Sequence, residues 1–362
     1  MQPIEDNLIS RQTFETASLF ASHPPQFHHA NKQILYDYVC SAGCPHDGHL
    51  EFTRWQAFDL PTSFRSDGFH TVLEGREGFF GYEPTPRDSA KVEWYLNFAH
   101  SNLFCAYGMG VFAQDEIQVA EHPALASLLE ALPGAGIRPL TVEDGVPTPI
   151  LIRGAERRCS VATDRNEEAG RPRGLYGRQF ALATPETILQ STRRIEPPTL
   201  TNLIAMEAPS YGRGAYNEEQ IRFILTTAFT GFSAACSESR TEENPSAEVI
   251  IHTGFWGCGA YGGNRVLMAL LQLLAARWSD VDRLVFHIPD PADAEDLETA
   301  RHLLEEKLIG PAKKGGGVSG LWQSLFGASR KTAPPSEQAF STAEVIERIE
   351  AQGFLWGESD GN

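Results

Sequence analysis

One turn of the chain is unusually rich in glycine, and it lies between a predicted strand and a predicted helix. The strand is the apolar run 247–252, and the helix begins at Arg265. Only glycine adopts positive φ freely and lets the backbone approach a ligand closely. Because a helix N-terminus presents unpaired N–H groups and a positive dipole end, the turn predicts an anion site, such as one for phosphate. Five glycines fall within ten residues, at positions 254, 257, 259, 262 and 263.

A tight turn without a ligand is the plainer explanation, but such a turn needs fewer glycines. The turn is not a Walker A loop, since no Gly-Lys-Ser/Thr follows it. It also lacks the Gly-x-Gly-x-x-Gly spacing in its usual early position. The pattern therefore favours phosphate binding without indicating one of the common nucleotide-binding classes.

The segments around this turn alternate between strand and helix. Apolar-rich runs at 92–99, 202–208 and 284–288 predict buried strands, and 217–232 and 292–308 predict helices. A strand–loop–helix–strand–helix order is typical of a largely parallel sheet with helices on both faces. The predicted fold class is therefore α/β.

Composition and charge limit the possible partners. The chain has 362 residues, of which 41% are apolar and 21% charged, as in soluble globular proteins. The acidic N-terminus lacks the apolar core of a signal peptide, and no apolar run is long enough to span a bilayer. We therefore expect a cytoplasmic protein without a membrane partner. Export by a signal-independent route stays open. The net charge of −17 argues against direct binding to nucleic acid, although a local cradle of N–H groups still binds a small anion.

The six cysteines are widely spaced, which is typical of free thiols in a reducing compartment. One cluster combines Cys40, Cys44, His46 and His49, so zinc is the alternative to an ordinary loop there. The spacing C-x3-C-x-H-x2-H matches no common zinc finger, and we therefore expect no metal.

The chain divides into three predicted parts. Residues 1–65 form a small helical or irregular N-terminal extension, with one helix over Gln33–Val39. Residues 66–330 form the main domain. Residues 331–362 form a linker and a short helix over 342–352, and the last few residues are expected to fray.

The glycine-rich turn and its helix resemble a known family. The run Thr-Gly-Phe-Trp-Gly-Cys-Gly-Ala-Tyr-Gly-Gly at 253–263 is similar to the Thr-Gly-Asn-Trp-Gly-Cys-Gly-Ala-Phe-Gly-Gly of the poly(ADP-ribose) glycohydrolases, and an apolar helix follows in both. Segments 203–208 and 223–232 match family segments in the same order. So does Asn97-Phe98-Ala99-His100, followed after thirteen residues by Gln-Asp-Glu-Ile at 114–117. The resemblance covers about 78–327 and implies a macrodomain-like, three-layer α/β/α core with a mixed, largely parallel sheet.

The resemblance also implies a reaction, which is hydrolysis of a glycosidic bond to ADP-ribose in poly(ADP-ribose) or in ADP-ribosylated protein. It assigns the catalytic acid to Glu116 and makes Asp115 its partner, with no cofactor or metal. The chemistry suits carboxyl groups, since one can protonate the leaving oxygen and then activate water. Taken alone, two acidic residues in the first turn of a helix are ordinary.

The resemblance extends to substrate binding. Two departures from the family lie where the distal ribose would bind. Phe104-Cys105-Ala106 stands in place of three glycines, and Asp115 stands in place of a glutamate. They leave open an enzyme acting on mono-ADP-ribose, a non-catalytic ADP-ribose reader, or an enzyme of another nucleotide-sugar class. The predicted substrate-binding residues are Gln114, Asn97, His100, Gly108, Gly110, Thr253, Gly254, Phe255, Gly257, Cys258, Gly259, Ala260, Tyr261 and Tyr176.

Overall fold

The computed structural model of the protein describes residues 4–41, 46–65, 70–82, 90–309 and 339–359. The strands of this part are β1 Leu8–Glu15, β2 His49–Trp55, β3 Ser63–Arg65, β4 Val72–Glu77, β5 Lys91–Ala99, β6 Val142–Glu143, β7 Val146–Pro147, β8 Ile150–Val161, β9 Thr192–Glu207, β10 Glu248–Thr253, β11 Arg283–Ile288 and β12 Ala339–Ser341. The helices are α1 Thr16–Ser22, α2 Ala30–Val39, α3 Gln114–Glu121, α4 Ala124–Ala131, α5 Gln179–Leu182, α6 Pro185–Ser191, α7 Glu218–Ser239, α8 Arg265–Trp278, α9 Ala294–His302 and α10 Thr342–Glu350.

Eight strands form the main sheet, in the order β1-β2-β8-β9-β5-β10-β11-β4. The five strands from β9 to β4 pair in parallel, and the strands from β1 to β9 pair antiparallel. Ala99 of β5 lies beside Glu207 of β9, and Tyr95 lies beside His252 of β10. The predicted mixed, largely parallel sheet is therefore confirmed.

Helices cover both faces of this sheet. The alternation of side chains along β5 sends Trp94 and Leu96 to one face, where they pack in a core shared with α7, α8 and α9. Tyr95 and Ala99 point to the other face and pack in a second core with α3 and α4. This is the predicted three-layer α/β/α arrangement.

The N-terminal extension is less irregular than predicted, because it contains two strands of the main sheet. β1 pairs with β2, and β2 pairs with β8. β1 is an edge strand with few buried side chains, so its sequence lacks the apolar run that marks a buried strand. The helix predicted over Gln33–Val39 begins three residues earlier, at Ala30, where the His29 ring accepts a hydrogen bond from the Asn31 N–H.

The C-terminal segment packs against the main domain up to residue 359, and residues 360–362, at the end that is predicted to fray, lie outside the described residues. Trp356 stacks on Tyr216 with ring centroids 4.2 Å apart, and the Gly357 N–H donates to the Gly262 carbonyl at 2.8 Å. The aromatic contact and the backbone bond offset the entropy of ordering the segment. The predicted domain boundaries at 65/66 and 330/331, and most of the predicted linker, involve residues outside the described ranges, so the domain division stays a prediction.

Among the described residues, no helix combines the length and the apolar character that crossing a lipid bilayer requires.

Candidate active site

Three neighbouring parallel strands end at one edge of the sheet, and the candidate residues follow them. Glu207 ends β9, His100 follows β5, and Gly254 follows β10. Ligands of open α/β sheets bind at the carboxyl ends of parallel strands. We call residues 253–264 the glycine loop and residues 100–113 the β5–α3 loop, and these two loops are adjacent because β5 and β10 pair.

The glycine loop needs its glycines for close packing. Gly257 has φ +75°, and a Cβ there would lie 2.4 Å from the Ala208 Cβ. Gly262 has φ +70°, and the Gly263 N–H donates to the Gly257 carbonyl at 2.9 Å. The loop leads directly into α8, whose first turn is capped by the Asn264 side chain. The geometry is that of a backbone loop at a helix N-terminus, as the sequence predicts for an anion site.

Polar side chains of the loop bond to the core rather than to the open edge. The Thr253 hydroxyl donates to Gln272 Oε1, and Gln272 Nε2 donates to the Gly254 carbonyl at 3.1 Å. Trp256 Nε1 donates to the Met206 carbonyl at 3.0 Å. These bonds fix the start of the loop to α8 and β9, so backbone groups are what the loop can offer a ligand here.

The remaining predicted residues of the glycine loop are partly exposed. Phe255 packs on Phe286 with ring centroids 4.9 Å apart. Tyr261 lies 5.7 Å from the Tyr211 ring, while Gly259 and Ala260 are half-buried. Burial raises the pKa of the Cys258 thiol, so this cysteine is neutral at physiological pH. A neutral thiol is a poor nucleophile, which leaves Cys258 a packing role.

The two predicted catalytic carboxyl groups lie in the first turn of α3, and both are largely buried. Asp115 is 8% exposed and Glu116 is 7% exposed. Glu116 Oε2 accepts a hydrogen bond from the Ala113 N–H at 2.9 Å, and Asp115 Oδ1 accepts one from Asn97 Nδ2 at 3.0 Å. The bond from Ala113 also caps α3, so the Glu116 side chain stabilises the helix in addition to its predicted catalytic role.

Burial controls the charge of this carboxyl pair. Desolvation, with repulsion from Glu116 second, raises the pKa of Asp115 to about 8, against the hydrogen bond from Asn97 and the charge of Lys32. Two interacting carboxyl groups titrate as a unit. The pair therefore retains a proton at neutral pH, as a general acid must.

Two residues predicted to bind substrate lie behind the carboxyl pair. Asn97 is fully buried and donates also to Gln118 Oε1 at 2.8 Å. Gln114 accepts from the Phe98 N–H at 2.8 Å and donates to the Leu96 carbonyl at 3.0 Å. The structure thus uses Asn97 to orient Asp115, and Gln114 to attach α3 to the end of β5. Their role in ligand binding stays a prediction.

The β5–α3 loop packs on residues 26–32, which we call the N-terminal segment. A Cβ at Gly108 would lie 2.4 Å from the Gln26 carbonyl oxygen, and a Cβ at Gly110 would lie 3.0 Å from His29 Cδ2. The absence of side chains at these two glycines therefore serves contact with the segment. Phe104 fills the core with φ +53°, where the family pattern has glycine.

The other two predicted residues flank this loop. His100 is exposed, and its Nδ1 accepts a hydrogen bond from the Asn102 N–H at 3.1 Å. Tyr176 is half-buried next to Gly177, whose backbone pairs with that of Phe112 at 2.9 and 3.2 Å. Tyr176 therefore belongs to a segment that lies against the end of the loop, just before α3.

Sequence reasoning missed Glu207 as a site residue. Burial raises the pKa of its carboxyl group, while Ser101 of the β5–α3 loop and Tyr261 of the glycine loop act against this shift. The sequence signal that could have identified Glu207 is its position at the end of a buried strand. Burial and the charges of Asp115 and Glu116 raise the pKa of Cys105 to about 11, with a smaller effect of Glu207. Asp115, Glu116 and Glu207 therefore all lie close enough to Cys105 to influence its pKa.

Sequence reasoning also missed Lys32, which is 2% exposed and lies within electrostatic reach of both Asp115 and Glu116. The cysteine–histidine cluster is described for Cys40, His46 and His49 only. Within the described ranges, no three or more Cys, His, Asp or Glu side chains are grouped as metal ligands.

Comparison with known proteins finds one matching family model and several similar solved structures. The family model "Poly (ADP-ribose) glycohydrolase (PARG), Macro domain fold" matches residues 170–294, which include the glycine loop and α8. The glycohydrolase from Thermomonospora curvata bound to the inhibitor ADP-HPD is 16% identical, with 83% of this chain and 87% of that chain covered and a TM-score of 0.40. The one from Deinococcus radiodurans in complex with ADP-ribose is 12% identical, with 84% and 98% covered and a TM-score of 0.37.

Sheet order, helix layers and loop geometry define a protein of the macro domain fold. Residues 170–294, which include the glycine loop, are similar to the poly(ADP-ribose) glycohydrolase family, whose model they match.

Proposed function

We propose that this protein hydrolyses the glycosidic bond at the ribose C1″ of ADP-ribose in ADP-ribosylated protein or poly(ADP-ribose). The observation that carries the proposal is the buried Asp115–Glu116 pair, which retains a proton and lies at the sheet edge where the glycine loop begins. One edge therefore combines an anion cradle with a general acid. The family match over the glycine loop supports ADP-ribose as the ligand.

Binding and chemistry divide between the two loops. The N–H groups of the glycine loop and the N-terminus of α8 bind the diphosphate. Glu116 donates the proton of the pair to the leaving oxygen as the C1″–oxygen bond breaks, and the oxocarbenium-like ribose carries the positive charge. Asp115 stabilises this charge. The carboxyl pair then takes a proton from water through Glu116 as the water oxygen adds to C1″, which restores the protonated pair.

The test is release of free ADP-ribose from mono-ADP-ribosylated protein and from poly(ADP-ribose), followed by chromatography. Glu116→Gln removes the proton donor but keeps the shape, and we expect it to lower kcat by about 10²- to 10⁴-fold. Glu298→Gln on the exposed face of α9 is the matched control and should leave kcat unchanged. Unchanged turnover by Glu116→Gln contradicts the assignment.

A non-catalytic ADP-ribose reader is the second candidate, and one observation favours it. Asp115 and Glu116 are largely buried, and the β5–α3 loop next to them carries Phe104, Cys105 and Ala106 where the family has glycines. Calorimetry separates the two functions. A reader binds ADP-ribose with the same affinity in the wild type and in Glu116→Gln, and releases none from either substrate.

A further inference from the structure

The N-terminal segment around α2 reaches into the candidate site, although neither the family match nor the sequence resemblance includes it. The Gly108 carbonyl accepts hydrogen bonds from the His28 and His29 N–H groups, at 2.9 and 3.1 Å. The Gln26 N–H donates to the Tyr107 hydroxyl at 2.6 Å. The β5–α3 loop is therefore attached to this segment by backbone and side-chain bonds.

Lys32 lies at the centre of this contact. Its Nζ donates to the Tyr107 carbonyl at 2.9 Å and lies 4.9 Å from the centroid of the Phe112 ring and 5.5 Å from that of Phe180. The side chain is 2% exposed. A buried ammonium is costly unless opposite charge compensates it. The charges of Glu116 and Asp115 of α3 act in this direction, since they raise the pKa of Lys32 against its desolvation.

The other ionisable groups around Lys32 do not replace these carboxyl groups. Burial raises the pKa of Tyr36 and Tyr107, so both phenols are neutral near pH 7. The His29 ring accepts a hydrogen bond from the Asn31 N–H through Nδ1. The compensation therefore comes from α3.

We propose that Lys32 is a positioning residue of the active site, which fixes the β5–α3 loop through the Tyr107 carbonyl and sets the charge of the Asp115–Glu116 pair. The inference rests on the proposed hydrolysis for its kinetic consequence. With Lys32 charged, a carboxyl pair that holds one proton and one negative charge is electrically balanced. Desolvation lowers the pKa of Lys32 to about 8, against the charges of Glu116 and Asp115, so the balance holds at neutral pH and weakens above it.

The pH dependence of kcat/KM tests this role. Lys32→Met keeps the length of the side chain and removes the charge, so the carboxyl pair holds its protons more tightly. We expect both limbs of the profile to move to higher pH by about one unit. Lys32→Arg keeps the charge and should retain the wild-type limbs even where kcat falls. Lys307→Met removes an exposed lysine and is the matched control. Superimposable profiles for Lys32→Met and the wild type overturn the proposal.

A second measurement needs no activity, and it separates failure of the proposed function from failure of this inference. At pH 7, Lys32→Met leaves a buried negative charge uncompensated, and we expect its Tm to fall by about 5 °C. Adding Glu116→Gln should restore most of that loss. If the effects of the two substitutions simply add, Lys32 does not interact with the pair and the inference is wrong, whether or not the wild type hydrolyses ADP-ribose.

Discussion

The two loops at the carboxyl edge of the sheet are built in different ways. The glycine loop is supported by the core beneath it, with Thr253 and Trp256 bonded to α8 and β9 and with glycines where side chains would collide. The β5–α3 loop depends on a distant part of the chain, because its Gly108 and Tyr107 carbonyls bond to residues of the N-terminal segment. Under the proposed function, ligand binding and catalysis therefore depend on structurally separate parts of the protein.

Substitutions in the two loops should therefore affect different properties of the protein. Substitutions in the glycine loop should weaken ADP-ribose binding and lower the free energy of unfolding, because the loop packs on the main core. Damage to the contacts of the β5–α3 loop should impair turnover first, because that loop leads into the helix with Asp115 and Glu116.

The largest expected effect comes from Gly257→Ala. The new Cβ would lie 2.4 Å from the Ala208 Cβ at φ +75°. Overpacking and positive φ together should lower the free energy of unfolding by about 3 kcal/mol and abolish ADP-ribose binding. Denaturant unfolding and calorimetry measure the two effects. Gly134→Ala is the matched control, since a Cβ there meets nothing within 4 Å. Equal stability of the two variants contradicts the packing argument.

Gly108→Ala tests the other loop and should have a smaller effect. Its Cβ would lie 2.4 Å from the Gln26 carbonyl oxygen, so the loop and the N-terminal segment must move apart, at a cost of about 2 kcal/mol. We expect kcat for ADP-ribose release to fall at least tenfold while the Kd for ADP-ribose changes less than about threefold. Steady-state kinetics measures kcat, and calorimetry on the same preparation measures Kd. Equal losses of both quantities would show that the loops do not act separately.

The smallest expected effect is on the pH dependence of stability. A carboxyl group whose pKa is raised on folding, from 3.8 to about 8 for Asp115, stabilises the fold fully below pH 3.8 and loses that contribution as the pH rises towards 8. The slope for this single group is at most about 1.4 kcal/mol per pH unit. Asp115→Asn should remove it, so the wild type loses stability relative to the variant between pH 4 and pH 8. Parallel curves from urea unfolding would show that Asp115 is ionised in the folded protein.

The sequence predicted most of the parallel half of the sheet, because β5, β10, β11 and the end of β9 are apolar runs. The glycine loop was predictable for the same local reason, since strand, glycines and helix are consecutive along the chain. Strand β1 was not, because an exposed edge strand leaves no apolar run. Lys32 was not predictable either. Its neighbours on α3 are more than 80 residues away in sequence, and only the folded chain brings the buried ammonium to them.

A crystal structure with ADP-ribose bound tests the central claim most directly, through the distance from the distal ribose C1″ to the Glu116 carboxylate. We expect the diphosphate on the N–H groups of the glycine loop, and C1″ within about 3.5 Å of the attacking water or of a Glu116 oxygen. A distal ribose that points away from α3, with Phe104 and Cys105 between it and Glu116, would contradict hydrolysis at this site and favour the reader.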